Sequence, residues 1–420
     1  MRILFLSNFF PPARSGGYTQ WCYEISERLA ERGYTIGILT SSYERAKAPI
    51  NEQNIYRLLH LEGDLAYYQP FHFFTRWRKE HQENLIFLEQ IVQEFAPDLI
   101  FVWGMWALSK TLPALAERLL PGRVVYYLSD YWPSMQNMHV TYWEKPPNHS
   151  YMRFPKQVLC FVANQILAYE KPSVPRFESA ICVSHALKQH LIASGLPLEK
   201  AQVIHGGTDV ERFCEERDGP YQENGLKLLY AGQIVEHKGV HTAIEAMAKL
   251  VNNHGIRNAY LTIMGAGHPD YESRLHHMVS TEGLHDFVHF RAPVTRIEMP
   301  VILHEYDVLI FPSIYEEPLA RMTQEAMAAA MVVIGTITGG TGEILKDGQN
   351  GLTFSAGDSE ALASQIQKLL LEPALAERLA MAGRQSVLNY FNIERMVNEI
   401  DTYLKMMVDR AALKRGTSAV

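Results

Sequence analysis

Apolar residues along this chain fall in two alternating registers. Short continuous apolar runs, the pattern of strands buried on both faces of a parallel sheet, alternate with longer segments whose apolar positions return every three or four residues, as in helices. Strands are expected over 2–7, 35–40, 54–61, 98–103, 123–128, 179–183 and 202–205, with helices over about 18–31, 76–95, 106–120, 155–171 and 184–194, the last capped by Ser184. A stretch holding Gly206-Gly207 and Asp218-Gly219-Pro220 then reads as a linker. The alternation restarts with strands at 226–231, 259–264, 287–290, 307–311, 332–334 and 352–354, and closes in helices over about 358–370, 373–388 and 392–413. Two doubly wound α/β domains, 1–205 and 206–391, are the economical reading. Ligands of such sheets bind at the carboxyl ends of the strands, so a site is expected in a cleft between the domains.

Composition narrows the class. A chain of 420 residues with 47% apolar and 20% charged content suits two or three ordinary globular domains. The net charge of −7 argues against a nucleic-acid partner. It is unevenly spread: residues 1–205 carry 20 Lys+Arg against 18 Asp+Glu, or +2, while the rest carries 19 against 28, or −9. The first half is therefore free to approach an anionic substrate or surface. Cys22, Cys160, Cys182 and Cys214 lack metal spacing and read as free thiols of a reducing compartment. The apolar start is too short for a signal peptide and reads as a first strand. No run approaches the ~20 apolar residues of a spanning helix, so the chain is expected in the cytoplasm, with a membrane face within reach. Two stretches, 63–79 and 131–177, are rich in aromatics and look like insertions. They read as loops packed on the core or, more sharply, as an acceptor or membrane-facing surface, against which Asn164 and Gln165 count.

The densest chemistry lies between Asp307 and Glu343. A buried strand ends at Pro312, a polar loop follows, and a helix is expected over 322–331. Glu317 in the loop and Glu325 on the helix suit a polyhydroxy ligand, because carboxylates accept paired bonds from vicinal hydroxyls and a helix N-terminus holds phosphate. Glu325 lies among Ala326, Met327 and Ala328, where a carboxylate needs a partner. A ligand is preferred here to a structural ion pair. Lys238, after Gly232-Gln233, suits either a solvated lysine or a cation facing a diphosphate. Gly16-Gly17 suits a tight turn or a close approach to phosphate, and alone is weak. The absence of Asp-x-Asp speaks against a metal-bridged diphosphate, so no metal ligand and no cofactor is expected.

Together these pieces resemble the retaining glycosyltransferases of family 4. The resemblance rests on Gly16-Gly17, Gly206-Thr208-Asp209, Lys238-Gly239, Glu317-Pro318 through Glu325, Gly339-Gly340-Thr341-Gly342-Glu343 and Asp347 to Gly351. It implies the GT-B fold, two Rossmann-like domains facing across a cleft, with a helix from 392–420 crossing back to the first. It implies a nucleotide sugar as substrate, usually uridine diphosphate-linked, and a glycan or lipid-linked acceptor. Glu325 would bind ribose, Glu317 the sugar 3- and 4-hydroxyls, and Lys238 the diphosphate. Backbone at Leu319, Ala320 and Arg321 would meet sugar or phosphate, Gly17 would approach the diphosphate, and Arg291 to Pro293 the base.

Several positions depart from that pattern. Gln233 stands where the family has an arginine, removing a cation from the leaving diphosphate, with Arg321 or Arg14 as replacements. Ser129 replaces a histidine that touches the transferring sugar, leaving Asp130 as a candidate catalytic acid. His205 replaces an asparagine, and Leu319-Ala320 a Phe-Gly. Front-face transfer by a polysaccharide-building enzyme is the leading reading. A sugar-nucleotide epimerase or phosphorylase of the same fold, and a sugar-nucleotide binding protein of weak activity, remain as alternatives.

Overall fold

In a computed structural model, residues 1–13, 16–48, 52–63, 68–146, 153–169, 173–214 and 225–417 are described. They form two compact units. The first comprises Met1–Val183, Leu187–Ile204 and Val397–Val420; the second comprises Ser184–Ala186 and His205–Met396. Arg14 and most of the expected 215–225 linker lie outside the described residues.

The first unit is built on seven parallel strands: β1 (Arg2–Leu6), β2 (Thr35–Ser41), β3 (Ile55–Leu59), β4 (Leu99–Val102), β5 (Val124–Leu128), β6 (Ala180–Cys182) and β7 (Gln202–Val203), in the order β3-β2-β1-β4-β5-β6-β7. β1, β4, β5 and β6 are almost wholly apolar and buried, as a sheet covered on both faces requires. The chain order reverses between β1 and β4, and the helix Gly17–Glu31 begins beyond the carboxyl end of β1. The helix expected at 106–120 starts later, at Thr111. Residue 107 takes a left-handed turn (φ 59°), which holds the preceding segment out of helix. The final helix, Ile393–Thr417, crosses from the second unit into the first, as the resemblance implies. There Asp401 accepts from Tyr34 Oη (2.5 Å) and pairs with Arg32 (3.4 Å).

The two aromatic stretches share one mini-core. Phe73, Trp77, Trp143 and Ala163 are buried together, with Tyr68, Phe74, Tyr142 and Cys160 against them. Tyr68 bonds His139 Nδ1 (2.7 Å), and burial followed by nearby His72 and His81 holds the His139 ring neutral, pushed down to about 3. The described parts of both insertions thus contribute to one packed cluster, in keeping with the reading of segments packed on the core.

The second unit carries six parallel strands: β8 (Leu226–Ala231), β9 (Ala259–Met264), β10 (Val288–Arg291), β11 (Val308–Phe311), β12 (Val332–Gly335) and β13 (Leu352–Thr353), in the order β10-β9-β8-β11-β12-β13. Here the reversal lies between β8 and β11. Gly206-Gly207, expected as linker, is buried instead. A Cβ on Gly207 would strike the backbone of Asn392, and Thr208 bridges Asn392, so glycine permits a close crossing of two chain segments. The helix expected at 322–331 is Arg321–Ala328, ended by left-handed Ala330 (φ 55°). Among the described residues no helix is long and apolar enough to cross a membrane.

Candidate functional site

In the second unit the loops after β8 and β11 meet at the sheet's switch point, the position where doubly wound sheets open a crevice. The β8 loop carries Gln233 and the short turn Glu236–Lys238; the β11 loop runs from Pro312 to Ala320. The N–H groups of Ile314 and Tyr315 both donate to the His237 carbonyl (3.0 Å each), tying the loops together. Gly239 adopts φ 69°, and a Cβ there would collide with the Pro312 carbonyl, so this crossing requires glycine.

That tether brings Lys238 Nζ to 2.5 Å from Glu317 Oε1. Glu317 is buried and also accepts from the Ser313 hydroxyl (2.8 Å), while Lys238 lies 5.5 Å from the Tyr315 ring. The backbone of Glu317 is held from beneath, its carbonyl accepting from Gly340 N–H (2.7 Å). Gln233 is exposed, its carbonyl accepting from Tyr230 Oη (2.6 Å). Pro318, Leu319 and Ala320 lead into the helix Arg321–Ala328. Ala320 is extended at the N-cap with no side-chain cap, leaving that end of the helix dipole for an anion.

Glu325, for which a ligand was expected in preference to a structural ion pair, makes an ion pair through one of its oxygens. Its Oε1 receives Arg321 Nε at 2.9 Å and Arg296 Nη2 at 3.0 Å. Both Glu325 and Arg321 are buried, and a carboxylate one turn from an arginine on an Ala/Met-rich face offsets its desolvation that way. Arg321, one of the two residues expected to supply the cation missing at Gln233, is thus engaged with Glu325 through Nε inside the unit. Arg291 ends β10, its guanidinium paired with Glu305 (2.8 Å) and its carbonyl accepting from Gly265 N–H (3.1 Å); Pro293 follows, exposed.

Ser184 immediately precedes the helix His185–Ala193, at the expected cap position. Its hydroxyl donates to the Pro318 carbonyl (2.6 Å), and the Glu343 carboxylate accepts the N–H groups of His185 (3.0 Å) and Ala186 (2.8 Å). Glu343 also meets His205 Nε2 at 2.7 Å, and these bonds hold its carboxyl below the usual range despite burial, which opposes them. Sequence reasoning quoted Glu343 and His205 as motif positions without roles and passed over Ser313. The only signal for Ser313 was a hydroxyl placed between a strand end and an acid.

In the first unit Gly17 starts its helix and is exposed, and Asp130 follows β5. Burial raises the Asp130 carboxyl to about 6, against the lowering effect of the Trp132 N–H, which it accepts at 2.8 Å. The Ser129 hydroxyl beside it is buried without a hydrogen-bond partner. A cavity of about 670 Å³ lies within this unit, lined mainly by apolar and aromatic groups including Trp106, Trp132, Met135 and Tyr142, with Lys110 among them. Glu62 also lines it. Its carboxyl is raised to about 7 by burial, opposed by bonds from Trp77 and Asn137.

The unfolded chain releases the Glu62 proton near 4.5 and the folded chain near 7, so the destabilisation is absent below pH 4.5, grows between the two values and is complete above 7. Its full size is about 3 kcal/mol. Glu62→Gln is therefore expected to raise the melting temperature at pH 8 but not at pH 4.5. Equal shifts at both pH values in thermal unfolding would contradict the assignment.

The family description "Glycosyltransferase Family 4" matches residues 15–212 and "Glycosyl transferases group 1" matches 214–386. The chain belongs to the family 4 glycosyltransferases and has the GT-B fold. It is 26% identical to a glycogen synthase of Mycobacterium tuberculosis over 93% of this chain and 91% of that protein. In structure it resembles a sucrose-phosphate synthase from Thermosynechococcus elongatus (TM-score 0.72, 19% identity, 97% and 99% of the two chains). It also resembles Anabaena HepE, solved in complex with UDP-glucose (TM-score 0.67, 19% identity, 97% and 100% covered).

Proposed function

We propose that this glycosyltransferase moves a hexose from a uridine diphosphate sugar, with retention of configuration and without a metal, to a glycan or lipid-linked acceptor during polysaccharide biosynthesis. The observation that carries the reading is the Lys238–Glu317 pair at the switch point of β8 and β11, beside the uncapped N-terminus of Arg321–Ala328. An ammonium and a helix N-terminus suit a diphosphate; a buried, oriented carboxylate suits sugar hydroxyls. The names of the relatives agree: one builds glycogen, and HepE holds UDP-glucose.

In this reading the anomeric C–O bond of the donor breaks with its electron pair going to the diphosphate, where Lys238 and the helix N-terminus stabilise the charge. Glu317 holds the sugar hydroxyls while positive charge develops on the ring. The acceptor hydroxyl attacks the same face and gives its proton to a departing phosphate oxygen. Glu325, fixed by its arginines, presents its second oxygen to ribose, and the backbone from Arg291 to Pro293 meets the base. Asp130, with a carboxyl raised to about 6, is suited to hold or relay a proton near an acceptor. The apolar cavity of the first unit favours an acceptor with an apolar or aromatic-stacking portion.

A screen of nucleotide release from individual nucleotide sugars, with and without lipid-linked and oligosaccharide acceptors, tests this. Release from a UDP-hexose that rises with acceptor, giving an axial-to-axial product by NMR, is expected. Release with no acceptor dependence, or an inverted product, would overturn the transferase reading.

A further inference from the structure

The helix Arg153–Tyr169 is turned the wrong way for a soluble surface. Its inner side, Cys160, Ala163, Ile166 and Leu167, faces the mini-core of Phe73, Trp77 and Trp143, and among the described side chains of this helix Ala163 alone is fully buried. The large apolar groups lie outside. Phe154, Val158 and Phe161, at i, i+4 and i+7, are 75%, 50% and 67% exposed, and Leu159 and Val162 flank them at 42% each. An amphipathic helix of a soluble domain puts such a stripe on the core. Asn164 and Gln165, which counted against this face in the sequence, do not break it. Asn164 lies off the stripe and its amide bonds Cys160 Sγ (3.6 Å), while Gln165 marks the stripe's end.

We propose that this helix docks the enzyme on the surface of an anionic lipid bilayer. Charge selects that occupant. Between Arg153 and Tyr169 there is no acidic residue; Arg153 is exposed beside Phe154, the half-buried Lys156 ammonium bonds the Lys145 carbonyl (2.6 Å), and Lys145 is exposed next to Glu144, leaving this segment net cationic. A second copy meeting this face about a two-fold axis would set the same cations against each other. An anionic headgroup layer instead accepts the cations, while the phenyl rings enter the acyl boundary. The helix lies in the interface plane and does not span it: its 17 residues reach only about 25 Å and carry two cations and three amides. Phe71, two residues before mini-core Phe73, is likewise exposed (83%). The docking does not depend on the donor chemistry proposed above; it bears on the acceptor, since Leu167 of this helix and Tyr142 packed near it also line the first unit's cavity.

The test is sedimentation of the full chain with vesicles of phosphatidylcholine alone and of phosphatidylcholine with phosphatidylglycerol. The wild type is expected to partition onto the anionic vesicles, less so as salt screens the cations. The double variant Phe154→Glu/Phe161→Glu is expected to partition at least tenfold less, with unchanged melting temperature and unchanged donor hydrolysis in solution. Phe161→Trp is expected to be quenched by brominated lipid. No partition onto anionic vesicles, equal partition of wild type and double variant, or a dimer in solution that the double variant dissociates would each overturn the proposal. Loss of transfer with intact vesicle binding would count against the proposed acceptor reading and leave the docking standing.

Discussion

Lys238→Ala is expected to lower turnover about 10²–10³-fold, the size found when a charge-stabilising donor at a developing anion is removed. The geometry sharpens the expectation. Lys238 is not a tethered surface lysine: its ammonium sits 2.5 Å from buried Glu317, in a turn fixed to the next loop through His237. Removing it strips a cation from the departing diphosphate and leaves a buried carboxylate without its cationic partner, which also lowers stability. The paired variant Lys238→Met/Glu317→Gln separates the two effects, because it removes both charges together. It should recover most of the lost melting temperature and none of the turnover. Rate measurements on the donor identified by nucleotide release check this. A turnover within about fivefold of wild type for Lys238→Ala would remove the diphosphate role.

Glu325→Ala is expected to act first on the fold. Arg321 and Arg296 converge on its Oε1 at 2.9 and 3.0 Å, and deleting the carboxylate leaves two guanidinium groups facing each other, one of them buried. Breaking such a pair costs about 3–5 kcal/mol. In a unit of this size that corresponds to a melting temperature lower by roughly 10 °C in thermal unfolding. Glu325→Gln keeps the shape and should lose less. Donor affinity by calorimetry, taken at a temperature where the variants are folded, separates the roles. A drop in donor affinity supports the ribose contact, whereas lower stability with unchanged affinity assigns Glu325 to the structure alone.

Much of this was legible along the chain because it depends on local pattern. Buried parallel strands show as continuous apolar runs, so the thirteen strands among the described residues fall within or beside the expected segments. The errors lie where neighbours in space intervene. The helix after β11 ends early because Ala330 turns left-handed, and Gly206-Gly207 is packed because Asn392, nearly two hundred positions away, runs across it. Glu343 likewise adds its carboxylate to the helix start at His185 and Ala186 through a fold-dependent contact.

By itself the sequence determined the class of protein, the two doubly wound sheets and the identity of the residues at the carboxyl ends of β8 and β11. These follow from apolar periodicity and from motifs only a few residues long, and neither requires distant partners. Only the tertiary structure decided what those residues face. It joined Lys238 to Glu317, closed Glu325 and Arg321 into an ion pair, and turned the apolar stripe of Arg153–Tyr169 outward. Periodicity shows that a helix has an apolar face; which face the core leaves uncovered depends on what packs against the other.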